Sequence, residues 1–139
     1  MGYWIRACLN EIIKAIMKKY QIPIFTEEYA INVVIGKRDD VIKEIAKYTT
    51  YSPKTIKADF AGRGITYNCY PDKNIIIGID GDLNAIIQIA TIAHEAIHAI
   101  DYLMDYVRID AKETEFRAHG VATILRTIFK KVIKIKKPL

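Results

Sequence analysis

Cysteine is scarce in this chain, and the two that occur, Cys8 and Cys69, are far apart and form no Cys-x-x-Cys pair. Neither a zinc knuckle nor a disulfide framework follows from such spacing. Reduced thiols in a cytosol are the simplest reading, so a cytoplasmic location is expected. Long apolar runs are also missing. No stretch reaches the roughly 18 uncharged apolar residues of a membrane-spanning helix. Residues 1–20 carry Arg6, Asn10, Glu11 and Lys14 among their apolar positions and show no small-residue cleavage site, so they make a poor secretory signal. Position 6 is Arg where N-myristoylation after Gly2 needs Ser or Thr. No repeat, linker or low-complexity tract divides the chain, so residues 1–139 are expected to form one domain. A chain of this size buries roughly 68–70% of its unfolded surface, enough for one core.

What is present is an ordinary globular composition, 51% apolar and 27% charged, with a formal net charge of +5. Part of that charge is concentrated in Lys130, Lys131, Lys134, Lys136 and Lys137. Such a run can attract nucleic acid or acidic lipid. It equally complements the C-terminal dipole of a last helix. Arg and aromatic residues are not interleaved there, which favours the dipole reading.

Apolar residues at Ile5, Leu9, Ile12, Ile13, Ile16 and Met17 predict an N-terminal helix over Tyr3 to Tyr20, ended by Pro23. Ile22 to Phe25 and Tyr29 to Ile35 read as strands. Asp39-Asp40 opens a short helix with Val41, Ile42, Ile45 and Ala46 on its buried side. Thr49 to Ala61 is ambiguous, with a turn at Ser52-Pro53. Ile65 to Tyr70 and Asn74 to Ile79 form a hairpin pattern around Pro71-Asp72-Lys73. Leu83 to about Tyr106 is helical and apolar on most faces, as in a helix at the middle of a domain. A last long helix runs from Asp110 to about Ile135. The order predicts an α+β fold: an N-terminal helix, a small mixed sheet with a hairpin, then two long helices.

The chemistry is concentrated in His94-Glu95-Ala96-Ile97-His98. Two of the chain's three histidines lie here, four residues apart, on one face of the most apolar helix. Both imidazoles can reach one Zn2+ ion, and Glu95 points beside the metal rather than at it. Glu95 can then take a proton from a water on the metal and pass it to a leaving amine. Polar residues in so apolar a helix are costly to bury without a partner. A catalytic zinc needs a third protein ligand. The last helix offers Glu113, Glu115 and His119, of which Glu115 and His119 share a face. Asp101 also follows His98 by three residues, where it can orient an imidazole, bind metal, or be a plain surface carboxylate.

His94-Glu95-Ala96-Ile97-His98 followed by Glu115-Phe116-Arg117-Ala118-His119 resembles the gluzincins, metallopeptidases that pair His-Glu-x-x-His with a glutamate on a following helix. The stretch from Gly64 to Leu125 is similar to a family of small phage and prophage metallopeptidases. The resemblance covers about half the chain. It implies a compact zincin-like domain that hydrolyses peptide or protein substrates, with Glu115 as third zinc ligand. The family's usual aspartate is replaced by His119, which leaves it open as a hydrogen-bonding partner of a ligand, an alternative ligand, or an oxyanion stabiliser. The resemblance also implies an edge strand that binds an extended peptide, for which Asn74 to Ile79 is the candidate. Tyr67, Tyr70 and Arg117 are candidate donors to an oxyanion. The competing reading is a catalytically weak or inactive metal-containing module that engages nucleic acid or an acidic partner through the basic surface.

Overall fold

Alternation of side chains decides the first strand. In Met17–Ile24, Tyr20, Ile22 and Ile24 are buried while Lys19, Gln21 and Pro23 face water. A period of two suits a half-buried strand, and this segment pairs antiparallel with the next as β1. The computed structural model describes residues 17–24, 26–69, 74–110 and 112–136. The expected N-terminal helix therefore lies mostly outside the described residues. Its last four positions, Met17 to Tyr20, are corrected from helix to strand. Pro23 does not end a helix; it occupies an exposed position, beside a register irregularity, in the strand that ends the sheet among the described strands, a setting that tolerates proline.

Strand β2 (Thr26–Gly36) is followed by helix α1 (Arg38–Tyr48) and helix α2 (Pro53–Asp59). The ambiguous stretch after Thr49 thus holds a short helix. Ser52 caps it by accepting from the Thr55 amide, and Pro53 occupies the first turn. Strands β3 (Gly64–Asn68) and β4 (Asn74–Asp80) pair antiparallel, as the hairpin pattern predicts. Helix α3 (Ala85–Val107) begins at Asn84, which caps the Ile87 amide. Helix α4 (Thr114–Lys136) starts four residues later than the expected Asp110. No helix among the described residues is long and apolar enough to cross a membrane.

The sheet order is β1-β2-β4-β3, with β2 and β4 parallel and the other pairs antiparallel. The class is α+β. Helices cover both faces. On one face, Ile31, Val33, Ile75, Ile77 and Ile79 pack with Ile92, Ala96, Ile100 and Leu103 of α3 and Ile124 and Ile128 of α4. On the other, Val34, Ile65 and Ile76 pack with Val41, Ile42 and Ile45 of α1, Ile56 of α2, and Phe60. Every residue from Ile75 to Ile79 is buried, as suits a strand covered on both sides. This corrects the choice of edge strand. Asn74 to Ile79 is interior because β2 adds to its far side, and β3 is the edge beside α3.

Candidate metal centre

Helix α3 brings the motif together through local geometry alone. His94 and His98 lie one turn apart, with their Nε2 atoms 3.2 Å apart and their rings nearly edge to face. This separation is within hydrogen-bond range, with the tautomer of each ring deciding which nitrogen donates. It also fits a shared ion. Zn–N bonds of about 2.0–2.1 Å at a tetrahedral angle place two ring nitrogens about 3.3–3.4 Å apart. Among the described residues, the ligand atoms of His94, Glu95 and His98 all lie within 4.8 Å of one another. The His94 side chain is 70% exposed, while that of Glu95 is 8% exposed. The imidazoles therefore open to solvent, and the carboxylate is sunk beside them, 4.0 Å from His94 Nε2.

Strand β3 determines where Glu95 points. Gly64, Thr66 and Asn68 stand opposite Ile79, Ile77 and Ile75, whose side chains face α3. Thr66 Oγ1 donates to Glu95 Oε1 at 3.2 Å, and lies 3.3 Å from the Glu95 carbonyl. Asn68 Oδ1 accepts from the Tyr106 hydroxyl. At Gly64 there is no room for a side chain. A Cβ there would lie 2.8 Å from both Glu95 Cγ and Thr91 Cγ2. Glycine is what lets the helix approach the strand closely enough for Thr66 to reach Glu95. The motif points to Glu95 but not to these partners. The period-two alternation from Ile65 was the available signal, since it puts Thr66 and Ile65 on opposite faces.

Alternation also settles Tyr67. It faces away from α3, packs against the α1–α2 side, and donates to Asp59 Oδ2 at 2.7 Å. Burial, then the hydrogen bond to Asp59 and its charge, raise the Tyr67 phenol well above its ordinary range. An oxyanion role for Tyr67 is withdrawn on this geometry. Tyr70 lies outside the described residues. Arg117 Nε donates to Asp101 Oδ1 at 2.8 Å, so these two candidates satisfy each other and tie α4 to α3 one turn past His98. The helices also touch at Gly120, where a Cβ would lie 2.6 Å from Ile100 Cδ1. Glu113, Glu115 and His119 are exposed near the start of α4, and Glu115 and His119 are not part of the close cluster around His94.

Beside Glu95 lies an open cavity of about 450 Å³, walled by Gly62, Arg63 and Gly64 on one side and Thr91, His94 and Glu95 on the other. The loop that carries the first wall is clasped by Arg38 from α1. Its guanidinium donates to the Phe60 carbonyl at 2.5 Å and the Gly62 carbonyl at 2.7 Å, reaches Asp80 at 3.3 Å, and stacks on the Phe60 ring. Arg38 and Arg63 carry no motif, and only the fold brings Arg63 to this cavity and Arg38 to the loop behind it.

Comparison with known proteins finds no matching family model, no matching curated protein and no matching solved structure. The chemistry of the site therefore rests on its own geometry.

Proposed function

We propose that this protein is a zinc-dependent metallopeptidase with a zincin-like arrangement, in which His94 and His98 hold the metal and Glu95 is the general base. The observation that carries the reading is the 3.2 Å spacing of the two Nε2 atoms with a buried carboxylate 4.0 Å away. A pair of histidines that only face water does not require a neighbouring carboxylate held by a hydrogen bond from Thr66. Bound zinc supplies Lewis acidity, which polarises a carbonyl and acidifies water. Glu95 takes the proton released by the attacking water and returns it to the leaving amine. Thr66 holds Oε1, leaving Oε2 on the His94 side for that transfer. Strand β3 ends the sheet among the described strands and runs beside α3, and in this reading an extended peptide adds to it by main-chain hydrogen bonds. Glu115, in the first turn of α4 and outside the close His94–Glu95–His98 cluster, is the proposed third ligand on the gluzincin pattern of the sequence. A cytoplasmic location belongs to the same proposal.

Elemental analysis of protein purified without chelator, with His98→Ala and Glu115→Ala alongside, tests the metal centre. One zinc per chain in the parent and none in either variant is the expected result. Zinc retained in Glu115→Ala moves the third ligand to His119, Asp101 or Glu113. No zinc in the parent, even after reconstitution, refutes the reading. Glu95→Gln is expected to keep zinc and lose cleavage by about 10²–10⁴-fold, the usual worth of a general base.

A further inference from the structure

The residues lining the cavity beside Glu95 include one arginine, Arg63, and one carboxylate, Glu95. The Arg63 backbone is anchored, because its carbonyl accepts from the Asp80 amide at 3.0 Å and Arg38 clasps the neighbouring Gly62 carbonyl. Its side chain is exposed and meets no hydrogen-bond or ion-pair partner among the described residues. Contrast Arg38, Arg117 and Lys19, each committed to a carboxylate of the fold. Arg63 also adjoins Gly64, where an added Cβ would lie 2.8 Å from Glu95 Cγ. A guanidinium on an anchored backbone, unspent by the fold and next to the general base, is placed to read the substrate.

We propose that Arg63 is a specificity determinant that selects peptides carrying a carboxylate close to the reacting amide. The inference rests on the peptidase reading and names the substrate class for that same site. The planar fork of arginine matches a carboxylate with two parallel hydrogen bonds. When peptide fills the cavity and expels water, the ion pair strengthens in the lower local dielectric. The carboxylate is that of an Asp or Glu side chain or of a free C-terminus, and both offer the same chemistry.

The test measures binding rather than turnover. Zinc-loaded Glu95→Gln protein is titrated by fluorescence anisotropy with extended octapeptides that differ in one feature, Asp against Asn at each position, or a free against an amidated C-terminus. The carboxylate form is expected to bind about 10- to 100-fold tighter than its neutral partner, the range of a charge-assisted pair. Adding Arg63→Gln should erase that difference with the melting temperature unchanged, and Arg63→Glu should reverse it in favour of Lys. Selectivity confined to the Asp and Asn pairs identifies a side-chain carboxylate; selectivity confined to the termini identifies the chain end. Equal affinity for charged and neutral partners, a preference that survives Arg63→Gln, or no binding of any peptide overturns the proposal. Cleavage by wild-type protein is followed in parallel. Arg63-dependent selectivity without cleavage refutes the peptidase reading alone, and cleavage without selectivity refutes the role of Arg63 alone.

Discussion

Gly64→Ala is the sharpest probe of how β3 and α3 cooperate. Gly64 has no positive φ, so an alanine is conformationally allowed there, and its smaller unfolded-state entropy favours folding by about 0.4–1 kcal/mol. Against that, the new methyl would lie 2.8 Å from Glu95 Cγ and Thr91 Cγ2 and 3.2 Å from Ile79 Cδ1. Carbon–carbon contacts are optimal near about 3.5–4.0 Å, so α3 or the Glu95 side chain must move by roughly 1 Å. Overpacking of this kind costs about 1–3 kcal/mol. The clash outweighs the entropy, and a net loss of about 1–2 kcal/mol is expected from urea unfolding. The same displacement lengthens the 3.2 Å Thr66–Glu95 hydrogen bond, and a shift of about 1 Å at a catalytic group costs about 10²-fold in rate. Zinc affinity should change little, because both Nε2 atoms lie on the exposed side of α3. Thr91→Ser removes one of the two closest carbons while keeping its hydroxyl, so the double variant should recover part of the loss. Stability equal to or above the parent in Gly64→Ala would refute the close-approach argument.

Three further outcomes follow from the same geometry. Gly120→Ala places a methyl 2.6 Å from Ile100 Cδ1, so it should lower the urea midpoint despite a gain of about 1 kcal/mol in helix propensity, and Ile100→Ala should couple favourably with it. Arg38→Met removes donors to the Phe60 and Gly62 carbonyls and to Asp80; with the guanidinium partly solvated, a loss of about 1–2 kcal/mol is expected, and faster hydrogen exchange at residues 61–63 would mark release of the cavity wall. Burial alone would raise the Glu44 carboxyl, but hydrogen bonds and charge from Lys47 and Lys19 outweigh it and hold the group below its ordinary value. A depressed carboxyl contributes stability above its unfolded value of about 4.3 and loses it as pH falls through the folded value. Chemical denaturation from pH 6 downward should therefore show a decline that Glu44→Gln lacks.

Much of the site was legible from spacing, because a helix is a local object. His94 and His98 meet since residues four apart share a face at 3.6 residues per turn, whatever the rest of the chain does. The same holds for the Val41–Ile45 side of α1 and for the hairpin of β3 and β4. Met17 to Tyr20 was misread because Met17 continues the helical spacing of the residues before it, while the strand alternation begins only at Tyr20. Pairing with β2 then decided between two local periods. The expectation of a helix apolar on most faces also proved too simple, since Ile86 is 71% exposed and Ile97 44% exposed.

What the sequence by itself determined, then, was the α+β class and the histidine pair with its neighbouring carboxylate, because both depend on contacts between near neighbours. Tertiary structure alone decided that, among the described strands, β3 and not β4 is the edge, that Thr66 holds Glu95 while Tyr67 turns to Asp59, that Arg117 is spent on Asp101, and that Arg38 clasps the loop on which Arg63 walls the cavity. These are pairings between residues distant in the chain. They depend on which strand inserts beside which and on how closely two elements approach, and no single-segment period encodes either.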